Sequence, residues 1–364
     1  MDISLFDYHL PKEFIAQESI EPRDHSRLLI LNRKTGAIEH KHFYDVIDYL
    51  SDNDVLVFNN SKVVPARLYG KKIPGLGKIE ILLIRPEDKE IFDFISWPKR
   101  WVVIGKPQLK RGQVIEFNKA LKGEIETELN YERVICFNIA GEALKKEILS
   151  LGKFPLPPYI TKPTKKSFLE YQTIYAEKEG SIAAPTAGFH FTKDLFKKIQ
   201  EKGIDIQFIT LHIGLGTFLS VKSKDIEKHQ MHSEFFELSE DTAKILNKAK
   251  SEGKRIIAVG TTAARVLESC SDFEQSEKQG SKRSEGSYKN FELKEKNGWT
   301  NLFIYPGYKF KFVDALITNF HLPKSTLLML VSALAGRDLI LKTYQAAIEK
   351  KYRFFSFGDA MLIT

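Results

Sequence analysis

Apolar positions in the first 70 residues fall in short clusters with a two-residue beat. RLLILN and AIEHKHF flank the turn Arg33-Lys34-Thr35-Gly36, DVIDYL has the spacing of a short helix, and VLVFNNS reads as a strand. From about Lys71 to Phe137 the pattern changes to short apolar runs (KIEILLI, IFDFISW, WVVIG, QVIEF, RVICFNI) separated by glycines and charges, with little helical periodicity. That pattern predicts an inserted all-β barrel or sandwich. After Pro155-Leu156-Pro157-Pro158 the chain returns to alternating strands and helices. Thr192 is placed to cap TKDLFKKIQEK, with Gly203 just past its end, and the strand IDIQFITLHI follows. Ser239 caps EDTAKILNKAKSE in the same way, and the strand RIIAVG runs through Thr261-Thr262 into the helix AARVLES. NLFIYPG and FVDALITNF read as strands, Ser325 caps STLLMLVSALAG, and LILKTYQAAIEKKY is the last helix. The expected fold is α/β, a mixed α+β core (1–70 and 150–364) with an inserted β-barrel-like domain (71–149). The polar, low-complexity segment 271–296 reads as a disordered surface insertion, so deleting Glu274 to Lys294 is expected to spare activity.

Composition narrows the class. At 364 residues and 43% hydrophobic content there is room for two domains or one domain with insertions. MDISLFDYHLPKEF shows no basic leader followed by an apolar run, and the stretch Leu327 to Ala335 falls short of the roughly 20 residues that span a bilayer. A cytoplasmic protein without a membrane segment is expected. Cys136 and Cys270 lack CxxC spacing, which disfavours disulfide frameworks, zinc ribbons and iron–sulfur clusters. The 55 Lys and Arg against 47 Asp and Glu give a net charge of +8, compatible with a polyanionic partner as well as with a merely basic surface.

Candidate chemistry gathers at strand ends. SIAAPTAGFHF closes on His190, LHIGLGTF carries His212, HQMHSEFFE carries His229 and His232, and TNFHLPKST carries His321. Any one of these alone reads first as a satisfied structural histidine, but in open α/β sheets ligands collect where strands run out into loops. A metal site from His212, His229 and His232 has no HExxH helix or ligand spacing behind it. There is no GxSxG elbow, and Gly214-Leu215-Gly216-Thr217 matches neither the dinucleotide nor the Walker A pattern. VGTTAARVLES delivers Gly260, Thr261 and Thr262 to a helix N-terminus, whose open N–H groups suit a carboxylate, a phosphate or another acceptor. In IEPRDHSRLLIL, Arg23 and Arg27 precede the first strand, placed for phosphate, a base edge or surface ion pairs.

Taken together and in order, FDYHLPKEFIAQESIEPRDHSRLL, VLVFNNSKVVPARLYG, SIAAPTAGFHFT, ITLHIGLGTFLSV, MHSEFFEL, VGTTAARVLES and NLFIYPGYKFKFVDALITNFHLPKSTLLMLVSALAG resemble the S-adenosylmethionine:tRNA ribosyltransferase-isomerase family of queuosine biosynthesis nearly end to end. WPKRWVVIGKPQLKRGQVIEF and the long 271–296 segment depart from the family pattern without touching these motifs. The resemblance implies a mixed α/β core with an inserted barrel. It also implies transfer and isomerisation of the ribosyl moiety of S-adenosylmethionine onto 7-aminomethyl-7-deazaguanine at the tRNA wobble position. The implied products are epoxyqueuosine-tRNA, adenine and methionine, with S-adenosylmethionine consumed as a substrate and no separate cofactor or metal.

Such chemistry needs a base for the acidic protons beside a sulfonium, an acid for departing adenine, and orienting groups. His190, His212 and His321 are the leading proton-handling or orienting candidates, with Glu234 the leading carboxylate. Thr186, Gly188, Gly214, Gly216, Thr217, Thr261 and Thr262 are candidates for the S-adenosylmethionine pocket. Arg23, Arg27, Arg67, Lys309 and Lys324 are candidates for RNA phosphate, and Tyr305 or Tyr308 for stacking on a flipped base. His190→Ala is expected to fold and to lose most turnover, because its motif shows no evident core role. Without an apolar docking stripe, a monomer is expected. The competing readings are a non-catalytic tRNA-binding protein and an ordinary methyltransferase, which would yield S-adenosylhomocysteine.

Overall fold

A computed structural model describes residues 1–88, 96–129, 132–161, 170–214, 223–273 and 291–364. The core is a nine-stranded sheet in the order Lys296–Thr300, Glu234–Leu238, Asp205–Leu211, Asp54–Asn59, Arg255–Val259, Ala315–Asn319, Ala360–Ile363, Arg27–Leu31, Ile38–His42. Its four central strands, Asp205–Leu211 to Ala315–Asn319, run parallel. Two of them, Asp54–Asn59 and Ala315–Asn319, are buried throughout, as parallel strands covered on both sides are. The outer pairs are antiparallel, apart from Arg27–Leu31, which lies parallel to the C-terminal strand Ala360–Ile363. The tail FSFGDAMLIT thus enters the interior of the sheet, and Met361 and Leu362 are fully buried.

The helices begin where side-chain oxygens can accept from orphan N–H groups. Thr192, Ser239 and Ser325 accept from Leu195, Thr242 and Leu328, each at 3.2 Å, starting Lys193–Glu201, Glu240–Ser251 and Thr326–Ala335. Thr326–Ala335 buries Leu328, Met329, Leu330 and Val331 against the sheet, each worth roughly 2 kcal/mol of apolar burial. No helix among the described residues is long and apolar enough to cross a membrane.

Six antiparallel strands, Arg67–Ile73, Lys78–Pro86, Arg100–Lys106, Val114–Glu116, Lys122–Leu129 and Glu132–Phe137, close into a barrel. The helix Gly141–Leu151 adds Leu144 and Ile148 to its apolar interior. Two local readings are corrected. NLFIYPG is not a strand; the strand lies one step earlier, at Lys296–Thr300, where polar edge residues pair with Glu234–Leu238 while Ile304 packs into the core. IFDFISW falls mostly outside the described residues, and its last two positions, Ser96 and Trp97, lie outside any strand.

In the polar segment 271–296, Ser271–Phe273 pairs with Phe291–Leu293, and residues 274–290 lie outside the described set. Asn247 bonds both the N–H and the carbonyl of Leu293, each at 2.8 Å, and Leu293 is buried in the core. A deletion of 274–294 therefore removes a packed strand and should lower the melting temperature. Thermal unfolding of the deletion variant checks this, and an unchanged melting temperature would contradict the packing of Leu293.

Candidate functional site

Three of the four central parallel strands end at one cleft. Ile213 follows Asp205–Leu211, Gly260-Thr261-Thr262 follow Arg255–Val259, and Thr318 to His321 close Ala315–Asn319. Strand-end clefts of this kind are where open α/β sheets bind ligands. The fourth strand contributes Asn59 as a tie: its amide donates to Leu211 O (2.9 Å) and Thr262 Oγ1 (3.2 Å), and its Oδ1 accepts from Leu211 N (3.0 Å). The turn into Thr261–Cys270 passes through Gly260 at φ 94°, a left-handed conformation that a Cβ would strain. Opposite lie Ala183 to Ala187, whose small side chains let the backbone face the cleft, and the rings of Tyr159, Phe320 and Phe355. No Asp, Glu, Lys or Arg lines the cleft among the described residues.

Of the proposed site residues, His321, Thr186, Thr261 and Thr262 meet in this cleft. His321 Nε2 bonds Thr318 Oγ1 at 2.9 Å, its N–H donates to Tyr344 Oη at 3.1 Å, and its carbonyl accepts from the Tyr8 hydroxyl. Burial pushes its pKa down to about 3, so the ring is neutral at pH 7. Sequence reasoning missed Asn319, Tyr159, Phe355 and Ser356. TNFH stands out for His321 and not for Asn319, and FSFGD carries no motif.

His190 lies behind the cleft wall. Asn319 Nδ2 donates to Phe355 O (3.0 Å) and to His190 Nε2 (3.2 Å), which leaves the ring proton on Nδ1 to meet Ser26 Oγ at 2.7 Å. The ring stacks on Phe43 with centroids 4.9 Å apart, and burial, reinforced by Arg353 and Arg23, pushes its pKa down to about 3. The expectation that His190 lacks a core role is therefore overturned. His190→Ala should cost about 2–4 kcal/mol of stability through a cavity and two orphaned partners, read from urea unfolding. Gly188 is likewise a packing residue: a Cβ there would fall 1.8 Å from Tyr175 Oη, and Gly188 does not line the cleft.

His212 and Glu234 also lie outside the cleft lining. His212 stacks on Phe235 (6.2 Å, 16°), and burial, aided by Lys178, pushes its pKa down to about 3. Glu234 is 2% exposed, forms an ion pair with Arg265, and accepts the Gly214 N–H at 2.9 Å. That contact holds Gly214; Gly216 and Thr217 lie outside the described residues. Glu234→Ala should cost about 3–5 kcal/mol in urea unfolding, because it strands a buried guanidinium; a loss below 1 kcal/mol would contradict the buried pair.

The proposed RNA contacts divide. Arg23 donates to the Gln172 and Glu170 carbonyls, each at 2.8 Å, over the Phe189 ring, so it braces the protein. Arg27 covers Tyr352 at 3.8 Å, Arg67 faces Glu80 at 3.4 Å, and Lys324 pairs with Asp7 at 2.6 Å. Tyr308 donates to Glu268 at 2.9 Å and Tyr305 packs on Phe303 at 5.0 Å, while Lys309 is exposed. Among the described residues no group of three or more His, Cys, Asp or Glu is placed to hold a metal ion.

Residues 3–363 match the family described as queuosine biosynthesis protein. The chain is 48% identical over 365 residues to a Halothermothrix orenii protein named S-adenosylmethionine:tRNA ribosyltransferase-isomerase, covering 100% of both. It is also similar to the crystal structure of S-adenosylmethionine tRNA ribosyltransferase from Thermotoga maritima. The identity there is 35% and the TM-score 0.53, covering 99% of this chain and 100% of that one. With a strand-end cleft and a match that runs through the barrel as well as the core, the chain belongs to the queuosine biosynthesis protein family.

Proposed function

We propose that the chain transfers and isomerises the ribosyl moiety of S-adenosylmethionine onto 7-aminomethyl-7-deazaguanine at the tRNA wobble position, releasing adenine and methionine and leaving epoxyqueuosine-tRNA. The observation that carries the reading is the cleft itself: polar donors at a helix N-terminus, three aromatic rings, and no charged side chain among its described walls. A sulfonium can be held on ring faces without a neutralising carboxylate. That leaves its pull on the adjacent C5′ protons undiminished. The open N–H groups and hydroxyls of Thr261 and Thr262 suit the donor's carboxylate or the nitrogens of departing adenine.

In this reading His321 is the cleft's proton-handling or orienting group, a ring that burial keeps neutral, with one nitrogen a donor and the other an acceptor. Asn319 and Thr186, in contact at 3.4 Å, shape the same wall, and His190 positions Asn319 from behind. S-adenosylmethionine is consumed, so no separate cofactor enters, and the working form is a cytoplasmic monomer.

Leu327 is half-buried on the first turn of Thr326–Ala335 and lines the cleft. Leu327→Trp should raise the KM for S-adenosylmethionine more than about tenfold by filling donor space, roughly 1.4 kcal/mol of binding, with the melting temperature held. An unchanged KM would place the donor elsewhere.

A further inference from the structure

We infer that one outer wall of the barrel is the surface on which the tRNA backbone lies; this rests on the ribosyl-transfer reading for the identity of the RNA. Tyr69, Lys71, Lys78, Lys106 and Lys119 line an open groove there. The register explains how they share a face. Leu68 and Ile79 point into the barrel core, so Tyr69, Lys71 and Lys78 point out. Lys71 stands directly across from Lys78, and Glu80 pairs in register with both Tyr69 and Lys106.

Lys71 faces Glu116 across its other neighbouring strand, but the like-charged Lys71–Lys78 pair is itself unfavourable to the sheet. The two carboxylates in the groove are engaged elsewhere, Glu80 with Arg67 at 3.4 Å and Glu116 with Lys122 at 2.7 Å. All four groove lysines are exposed, and none has an ion-pair partner among the described residues. Tyr69 is 47% exposed, with the Lys153 ammonium 5.3 Å from its ring centroid. Lysines answer phosphates without reading sequence, and an exposed aromatic ring offers a base a stacking face.

The groove is also tied to the cleft. Arg67 and Lys153 exchange backbone hydrogen bonds of 3.1 and 2.9 Å, and six residues later the chain reaches Tyr159 in the cleft wall. Six residues span at most about 22 Å. A strand of RNA lying in the groove therefore passes within one short stem of the donor site.

The test uses the full chain. For K71E/K78E, tRNA binding is measured across a NaCl series, together with the KM values for tRNA and S-adenosylmethionine. The expected result is tRNA affinity weaker by at least about tenfold and a salt slope shallower by about two. The S-adenosylmethionine KM should hold. Tyr69→Ala should weaken binding about tenfold with the slope unchanged, because stacking releases no counterions. K197E/K248E reverses two exposed lysines on other faces and controls for net charge; it should change neither quantity. Parental affinity and slope in K71E/K78E, the result expected if the wall serves an acidic protein, overturns the inference, as does equal weakening in the control. A chain that binds tRNA through this wall yet releases no adenine keeps the surface and loses the ribosyl-transfer reading.

Discussion

Lowering the pH from 7.5 to 5.5 should remove about 4 kcal/mol of folding stability, read from urea unfolding at the two pH values. His190, His212 and His321 are held neutral, each with its pKa pushed from 6.5 down to about 3, and burial is the main cause in all three. In the unfolded chain each titrates normally near 6.5. The folded pKa is depressed, so this contribution is complete above about pH 6.5 and is lost as pH falls toward 3. At pH 5.5 each unfolded histidine gains about 1.4 kcal/mol from protonation that the folded state refuses. Three such groups are a large fraction of the 5–15 kcal/mol that holds a typical domain together. Equal stability at the two pH values would mean that these rings are not buried neutral. The expectation concerns folding, not turnover, and so stands apart from the catalytic proposal.

His321→Ala should lower kcat by about 10² to 10⁴-fold while the KM for S-adenosylmethionine changes less than tenfold, the size of a lost proton-handling group. Its bonds to Tyr344 and Tyr8 run through backbone atoms and survive the substitution. Among the described residues the side-chain hydrogen bond lost is that with Thr318 Oγ1, at a cost of about 1 kcal/mol. The variant should therefore remain folded, so steady-state kinetics and a melting curve separate catalysis from stability. Turnover within threefold of the parent would remove His321 from the reaction. His190→Ala should show the opposite signature, a stability loss from behind the wall.

What was legible in the sequence was local. Thr192, Ser239 and Ser325 announce helices because a cap and its N–H partner lie within three residues. VGTTAAR announces a strand-to-helix corner, and the structure puts that corner in the cleft. The roles of His190 and Gly188 were not legible. A run of small residues has no period, and their partners Phe43 and Tyr175 are brought up by the fold rather than by spacing. Glu234 looked catalytic beside His232, yet its meaning depends on Arg265, 31 positions away. The edge strand Lys296–Thr300 was missed because a solvent-facing edge carries few apolar residues, and NLFIYPG was mistaken for it because apolar runs also form packed loops.

The most direct test of the central claim is a product count with S-adenosylmethionine and tRNA bearing 7-aminomethyl-7-deazaguanine. Adenine and methionine are expected, each released in equal amount to the base modified, with no S-adenosylhomocysteine. Accumulation of S-adenosylhomocysteine, or tRNA binding with no adenine released, would contradict it.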